Sequence, residues 1–281
     1  MSAGRSSSTD ARQTGFSIVV PVYNESARIE ETSRYLLDGL ARDVEVVFVC
    51  NGCTDDSEKK LHSVVRNRAK VISCGRGKAL AIREGERHLE KFPRFYVDAD
   101  VLISGHAISV LADELKTLDL MLVSPVIEYD LSETSWASRL VQTLWLDLPH
   151  GRHGAFHHVL GVSAEGRACW QDFPNLIADD SFIEAMIPMG RKRISATQLV
   201  LVRPPRTLRS FIMVRARWSQ GQRQLVSRGL AAPRTRGQKR ALFRFIFFRP
   251  VAVTLYGVAK IAGCLIRRRG YDEWYTDQTS R

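Results

Sequence analysis

Along the first third of the chain, continuous apolar runs alternate with stretches where apolar residues recur every three or four positions. Phe16–Val22 (FSIVVPV) is apolar and rich in β-branched residues, the pattern of a buried strand. Ser26–Leu40 sets Ile29, Leu36, Leu37 and Leu40 among charges, which predicts a helix. Val44–Cys50 (VEVVFVC) is a second strand, and the turn NGCTDDS leads into a helix through Arg66. Ala69–Ser73 is a third strand, Gly77–Lys91 a third helix, and Arg94–Val97 (RFYV) a fourth strand. Strand–helix units at this spacing predict an α/β domain with a mostly parallel sheet flanked by helices. Ligands of such a sheet sit at the carboxyl ends of its strands.

Polar residues collect at those ends. The first strand ends in Pro21-Val22-Tyr23-Asn24-Glu25, the second in Asn51-Gly52-Cys53-Thr54-Asp55-Asp56, and the fourth in Asp98-Ala99-Asp100. Asn, Gly and Asp also make ordinary turns, but three clusters on one edge predict a site. A strand that runs into two carboxylates one residue apart suits a turn, a divalent cation or a phosphatase nucleophile. Neither G-x-G-x-x-G nor G-x-x-x-x-G-K-[ST] occurs, so the standard dinucleotide and P-loop readings fail. Gly75-Arg76-Gly77-Lys78 opens a helix, where backbone N–H groups and Lys78 could hold phosphate.

Composition changes the picture at the two ends of the chain. With 281 residues, 44% hydrophobic and 25% charged, the protein is globular and large enough for one generous domain. Residues 1–14 are small and polar, read as a flexible tail rather than a signal peptide, which predicts a cytoplasmic setting with reduced cysteines. Cys50 and Cys53 have C-x-x-C spacing, but no second such pair follows, and they read as strand-end and turn cysteines. Residues 1–190 carry 20 Lys+Arg against 27 Asp+Glu, whereas residues 191–281 carry 21 against 3. The basic C-terminal region, 226–281, is interleaved with apolar runs, which favours an anionic membrane surface over nucleic acid. Its longest run, Pro250–Ile266, is interrupted by Lys260 and closed by Arg267-Arg268-Arg269. A spanning helix wants about 20 apolar residues, so a helix lying in the interface is expected, peripheral on the cytoplasmic face.

VVPVYNE, the polar NGCTDDS turn, GRGKALAIREG, VDAD, PNLIADDSFI and RARWSQGQ, in this order, resemble the family 2 glycosyltransferases, which have an A-type nucleotide-sugar fold. The resemblance covers about residues 16–225, within a catalytic domain set at 15–225. It implies inverting transfer from a nucleotide-diphospho-sugar donor to an acceptor hydroxyl on a glycan or lipid-linked acceptor, in cell-surface glycan, polysaccharide or glycolipid synthesis. Asp98 and Asp100 match the metal-binding D-x-D, implying Mg²⁺ or Mn²⁺ that neutralises the leaving diphosphate, with Asp98 also contacting the donor. Pro21, Tyr23, Asn24 and Glu25 match the end of strand one that holds the nucleoside, and Lys78 sits in the phosphate-side loop. Asp180 matches the general base, and Arg217-Trp218 the R-W pair, with Arg at the diphosphate and Trp at the acceptor.

Departures from the family pattern are specific. Asn51 stands where the family usually has an acid that reads the base, which loosens the expectation of uracil. Val214 replaces the Gln of the Q-x-x-R-W form, against a processive polymer synthase. His150, His153, His157 and His158 fit no zinc template and read as a polar acceptor-site lining, one of them a candidate third metal partner. Two other functions compete: a haloacid-dehalogenase-type phosphatase, which also uses D-x-D, and a non-catalytic membrane- or nucleic-acid-binding module. The phosphatase nucleophile normally follows the first strand, whereas three strand–helix units precede Asp98 here.

Overall fold

A computed structural model describes residues 15–148, 156–230, 245 and 248–268. The first four strands and three helices fall where the apolar pattern puts them. They are β1 (Ser17–Val22), α1 (Ile29–Leu37), β2 (Glu45–Asn51), α2 (Ser57–Val65), β3 (Lys70–Cys74), α3 (Lys78–Glu86) and β4 (Arg94–Val97). β3, β2, β1 and β4 lie side by side and parallel, with Ser17 opposite both Glu45 and Arg94. In β1, Ile18, Val20 and Val22 enter one core layer with Ile29 of α1 and Leu61 of α2. Val19 enters the other layer with Ala81 and Ile82 of α3. Both faces of β1, β2 and β4 are covered, which is why these strands are apolar without alternation, whereas the edge strand β3 is part-exposed.

Beyond β4 the sheet becomes mixed. The chain continues through β5 (Val101–Leu102), α4 (Gly105–Thr117), β6 (Leu122–Tyr129), α5 (Trp136–Asp147) and β7 (Val159–Val162). Then come α6 (Ala164–Arg167), α7 (Asp179–Met186), a 3-10 turn, β8 (Lys192–Val202) and α8 (Leu208–Ser227). The eight strands run in the order β3-β2-β1-β4-β7-β6-β8-β5. β7 is antiparallel to both β4 and β6, β8 is parallel to β6, and β5 is antiparallel to β8. The D-x-D turn therefore leaves the middle of the sheet and reaches its far edge at β5.

The last element is α9 (Pro250–Arg268). Its Ala252, Tyr256 and Ala259 bury against Val141, Leu144 and Leu148 at α5 and Phe211 of α8. α9, in the basic and apolar C-terminal region, thus packs on the domain, and α8 runs through residue 226. Among the described residues no helix is long and apolar enough to cross a membrane. The tail 1–14, most of 231–247, the basic cluster's Arg269, and His150 and His153 lie outside the described residues.

Candidate active site

β4 ends against β7, and this pairing builds the centre of the site. Val97 pairs with Val159, and the Asp98 N–H donates to the His158 carbonyl at 2.8 Å. His158, in the left-handed region at φ 66°, turns its Nδ1 to 2.9 Å from Asp98 Oδ2. A non-glycine residue held at positive φ beside a carboxylate is a conformation that tertiary structure must impose. The other oxygen, Asp98 Oδ1, accepts from Lys78 Nζ at 2.7 Å, and the same ammonium lies 2.7 Å from Asp179 Oδ2. One cation thus ties the end of β4 to the start of α7. Burial opposes the charged forms, but the mutual attraction wins. Asp98 is held far below the usual carboxylate range, and Lys78 well above the usual lysine range.

The acid pair divides its roles. Burial pushes the Asp179 carboxyl up; the Lys78 charge opposes this, the neighbouring Asp180 and Asp98 charges add to it, and the net shift is upward. Asp180 Oδ2 sits 2.5 Å from His157 Nδ1, and Asp180 Oδ1 accepts from the Ser181 N–H at 2.6 Å. Burial would raise the Asp180 pKa, yet the His157 charge and hydrogen bond bring it down to about 2. For His157, burial lowers and Asp180 raises, leaving a net rise. No side chain caps the α7 N-terminus, and both acids stand in its first turn, where the helix dipole favours negative charge. The turn is pinned from α8: Gln224 Oε1 accepts from the Ile177 N–H at 2.9 Å, and Gln222 Nε2 donates to Ser181 Oγ at 3.2 Å.

At the ends of β1 and β2 the polar side chains stitch loops together. Asn51 Nδ2 donates to the Val22 carbonyl at 2.7 Å, while its Oδ1 accepts from the Gly77 N–H at 3.3 Å. Asn24, also at positive φ (52°), accepts from the Thr54 N–H at 2.8 Å. Glu25 is buried, and its backbone N–H donates to Ser57 Oγ at 2.7 Å. Arg76 stacks its guanidinium over Tyr23, 5.2 Å from the ring centre. Gly52, at φ 72°, lies so close to Arg76 that a Cβ would stand 3.1 Å from the Arg76 Cβ. Cys50 and Cys53 are both free, and the hydrogen bond from Cys50 draws the Cys53 thiol down to about 7.

These parts open into one cavity. Pro21, Tyr23, Glu25, Asn51, Lys78, Asp98 and Asp100 form its strand-end wall, and Arg217 and Trp218 form part of the opposite wall. Asn24 and Asp180 are not among the lining residues, whereas Asp179 is. Sequence reasoning missed Tyr129, Trp145, Arg203 and Arg215, which also line it. Trp145 and Trp218 pack with ring centres 5.7 Å apart. Trp145 reads in the sequence as one more apolar residue of an amphipathic helix, and only its spacing from Tyr129 and Trp218 in space gives it a role.

Among the described residues no group of three or more His, Cys, Asp or Glu side chains is arranged to hold a metal ion. Two carboxylates one residue apart, lining an open cavity, are nevertheless a donor set of a recognised kind. Mg²⁺-type sites commonly take one or two carboxylates and complete their shell with substrate phosphates and water. Both Asp98 and Asp100 line the cavity, with the Asp98 oxygens engaged by Lys78 and His158, so an ion arriving with a diphosphate would have to share Asp98 with these partners.

The strand-end cleft brings the D-x-D, Asp179 of the acid pair and the R-W pair together on an α/β fold of the A-type nucleotide-sugar transferase class. Residues 17–164, more than half of the chain, match the family described as Glycosyl transferase family 2, and the chain belongs to that family. It is 36% identical over 98 residues to an uncharacterized glycosyltransferase, YkcC, of Bacillus subtilis (strain 168); the match covers 32% of this chain and 30% of that protein. Among solved structures it resembles a mannosyltransferase from Pyrobaculum calidifontis in complex with GDP-Man and Mn²⁺. The TM-score is 0.60 at 20% identity, covering 89% of this chain and 75% of that one. It also resembles glucosyl-3-phosphoglycerate synthase from Mycobacterium tuberculosis, in complex with Mn²⁺, UDP and glucosyl-3-phosphoglycerate. There the TM-score is 0.55 at 18% identity, covering 80% of this chain and 82% of that one. These likenesses bear out the A-type α/β fold. Neither the phosphatase nor the non-catalytic binding module finds support.

Proposed function

We propose that the protein moves a sugar, with inversion, from a nucleotide-diphospho-sugar to an acceptor hydroxyl in a metal-dependent reaction. The observation that carries this is the charge cluster Asp98–Lys78–Asp179, set in a cavity shared with Asp100, the β1 and β2 ends, and Arg217-Trp218. Pro21, Tyr23, Glu25 and Asn51 would frame the nucleoside, with Asn24 bracing the neighbouring loop. Asp98 and Asp100 would hold Mg²⁺ or Mn²⁺, whose chemistry is neutralisation of charge on the leaving diphosphate. Lys78 and Arg217 supply positive charge to the same group. With no side chain assigned as a nucleophile, the acceptor hydroxyl attacks directly and the anomeric centre inverts.

That hydroxyl needs a base, and the resemblance assigns Asp180. The geometry favours its neighbour. Asp179 lines the cavity, burial raises the pKa of its carboxyl, and its bridge to Lys78 is through Oδ2, whereas both Asp180 oxygens are bonded, to His157 and Ser181, so Asp179 is the better placed proton acceptor. Asp179→Asn is expected to lower turnover by roughly 10²–10⁴, the range of a lost general base, with Asp180→Asn milder. The reverse order in a steady-state assay returns the role to Asp180.

The test of the whole reading is binding of UDP, GDP or dTDP with and without Mn²⁺, by calorimetry. Binding that needs the metal, and that Asp100→Asn abolishes while the protein stays folded by circular dichroism, is the expected result. Metal-independent binding in both proteins removes the metal role. A membrane-proximal acceptor is supported by the exposed apolar face of α9 and the basic C-terminal region, which together suit the cytoplasmic surface of an anionic bilayer.

A further inference from the structure

Where α5, α8 and α9 meet, Arg215 lines the cavity wall. Arg215 lies over two indoles, its guanidinium carbon 5.7 Å from the Trp145 ring centre and 5.4 Å from that of Trp218. Among the described residues it has no hydrogen-bonding or carboxylate partner. Nearby arginines differ: Arg203 pairs with Glu31 and Asp130, Arg206 with Glu133, and Arg249 with Asp147. Behind Arg215, Lys260 sets its ammonium 5.5 Å from the Tyr256 ring centre. The two helices touch here: a Cβ at Gly263, one turn beyond Lys260, would stand 3.8 Å from the backbone N of Ala216, next to Arg215. Desolvation lowers the Arg215 pKa, and desolvation together with the Arg215 charge lowers that of Lys260.

Tyr256 adds an independent observation. It is 1% exposed, and its hydroxyl has no hydrogen-bond partner among the described residues. A buried hydroxyl without a partner and a partly buried guanidinium without a counter-charge both cost stability, whereas Lys260 keeps its ammonium at the exposed side of the same helix contact. The same feature accounts for Lys260, the one charge that interrupts the apolar run of α9.

We propose that Arg215, Tyr256 and Lys260 form a receptor for a phosphate-monoester group carried by the acceptor. A planar guanidinium donates paired hydrogen bonds to phosphate oxygens, and two cations match a monoester charge of about −1.5 to −2 near neutral pH. Because Arg215 lines the same cavity as Asp98 and Asp179, the anion would anchor the acceptor opposite the donor end. This deepens the transferase reading and rests on it for the word acceptor. The charge site itself stands on the residues alone.

The experiment uses the full chain and two sources of the same chemistry. Binding of glycerol 3-phosphate is measured by calorimetry with and without saturating UDP and Mn²⁺. Sedimentation is measured with phosphatidylcholine vesicles, with and without phosphatidic acid. In at least one arm, phosphate-dependent binding is expected to persist in the presence of UDP. It should weaken about tenfold or more in Arg215→Gln, as for a lost charged hydrogen bond, and measurably in Tyr256→Phe and Lys260→Gln. Loss in the soluble arm names a small phosphorylated acceptor, and loss in the vesicle arm names a lipid phosphate. Tyr256→Phe keeps the test open should Arg215→Gln fail to fold. Binding in neither arm, binding indifferent to all three substitutions, or full displacement by UDP overturns the receptor. Arg215-dependent phosphate binding in a protein that ignores every nucleotide would leave the receptor standing and remove the transferase reading.

Discussion

Asn51 carries two hydrogen bonds that no acid could replace together. Its amide donates to the Val22 carbonyl and accepts from the Gly77 N–H, locking the end of β1 to the loop that delivers Lys78. A carboxylate would keep the second bond and turn the first into repulsion between two acceptors. This gives a structural reason for an amide where the family resemblance leads one to expect an acid. Asn51→Asp is therefore expected to cost about 1–3 kcal/mol, the penalty of leaving a buried acceptor unsatisfied, read as a lower denaturant midpoint with an unchanged slope. Wild-type stability in Asn51→Asp would mean the side chain rearranges freely. At this scale the sequence was legible for residue types but not for partners. Asp98 and Asp100 stood out by their strand-end position and Lys78 by the glycine-basic loop that opens a helix, whereas the Lys78 bridge to Asp179 joins residues far apart in the chain and leaves no local trace.

Elements were legible in proportion to how local their determinants are. β1, β2 and β4 follow from runs buried on both faces, β3 is a part-exposed edge strand, and the helices between them follow from their apolar spacing. β7 is different: four residues, Val159–Val162, whose antiparallel insertion between β4 and β6 depends on non-local pairing. Gly161 is part of the reason it fits there, since a Cβ at that position would stand 2.4 Å from the Phe95 ring. That insertion delivers His157 and His158 to the two acids, a result invisible in the histidine spacing. α8 plays the matching role on the other side through Gly221, where a Cβ would stand 2.8 Å from the Ala178 Cβ, just before Asp179. Helix and acidic turn would have to separate to admit a methyl group. Gly221→Ala is thus expected to lower turnover tenfold or more, since small misplacements of catalytic groups are costly, while nucleoside diphosphate affinity changes little. Equal loss of both would point to general unfolding, and undiminished turnover would show that the turn tolerates the shift.

At the scale of the whole molecule, the charge asymmetry seen in the sequence meets an asymmetric helix. One face of α9 buries Ala252, Tyr256 and Ala259 and supports the aromatic wall of the cavity through α5 and α8. The other face leaves Val251, Val258, Ile261 and Leu265 each more than half exposed, at the three-, four- and seven-residue spacings of one helical stripe. The sequence leads one to expect membrane attachment for this segment, the structure shows it packed on the domain, and the two faces allow both. Deleting α9 cannot separate them, because the deletion would uncover the packed cluster and disturb Trp145 at the same time. Glutamate at Val258 and Ile261 can: both side chains point away from the packed face, so thermal stability should move by no more than about 0.5 kcal/mol, as for ordinary surface positions. Burying such side chains in a bilayer interface contributes about 1.5–3 kcal/mol each when complete, and the added negative charge opposes an anionic surface. The full chain is expected to sediment with vesicles containing anionic lipid, and the double variant to lose at least tenfold in partitioning while keeping its melting temperature. Sedimentation that is equal for the two proteins would assign the membrane contact elsewhere, and a wild-type chain that stays in solution at every lipid composition would leave α9 with packing as its function.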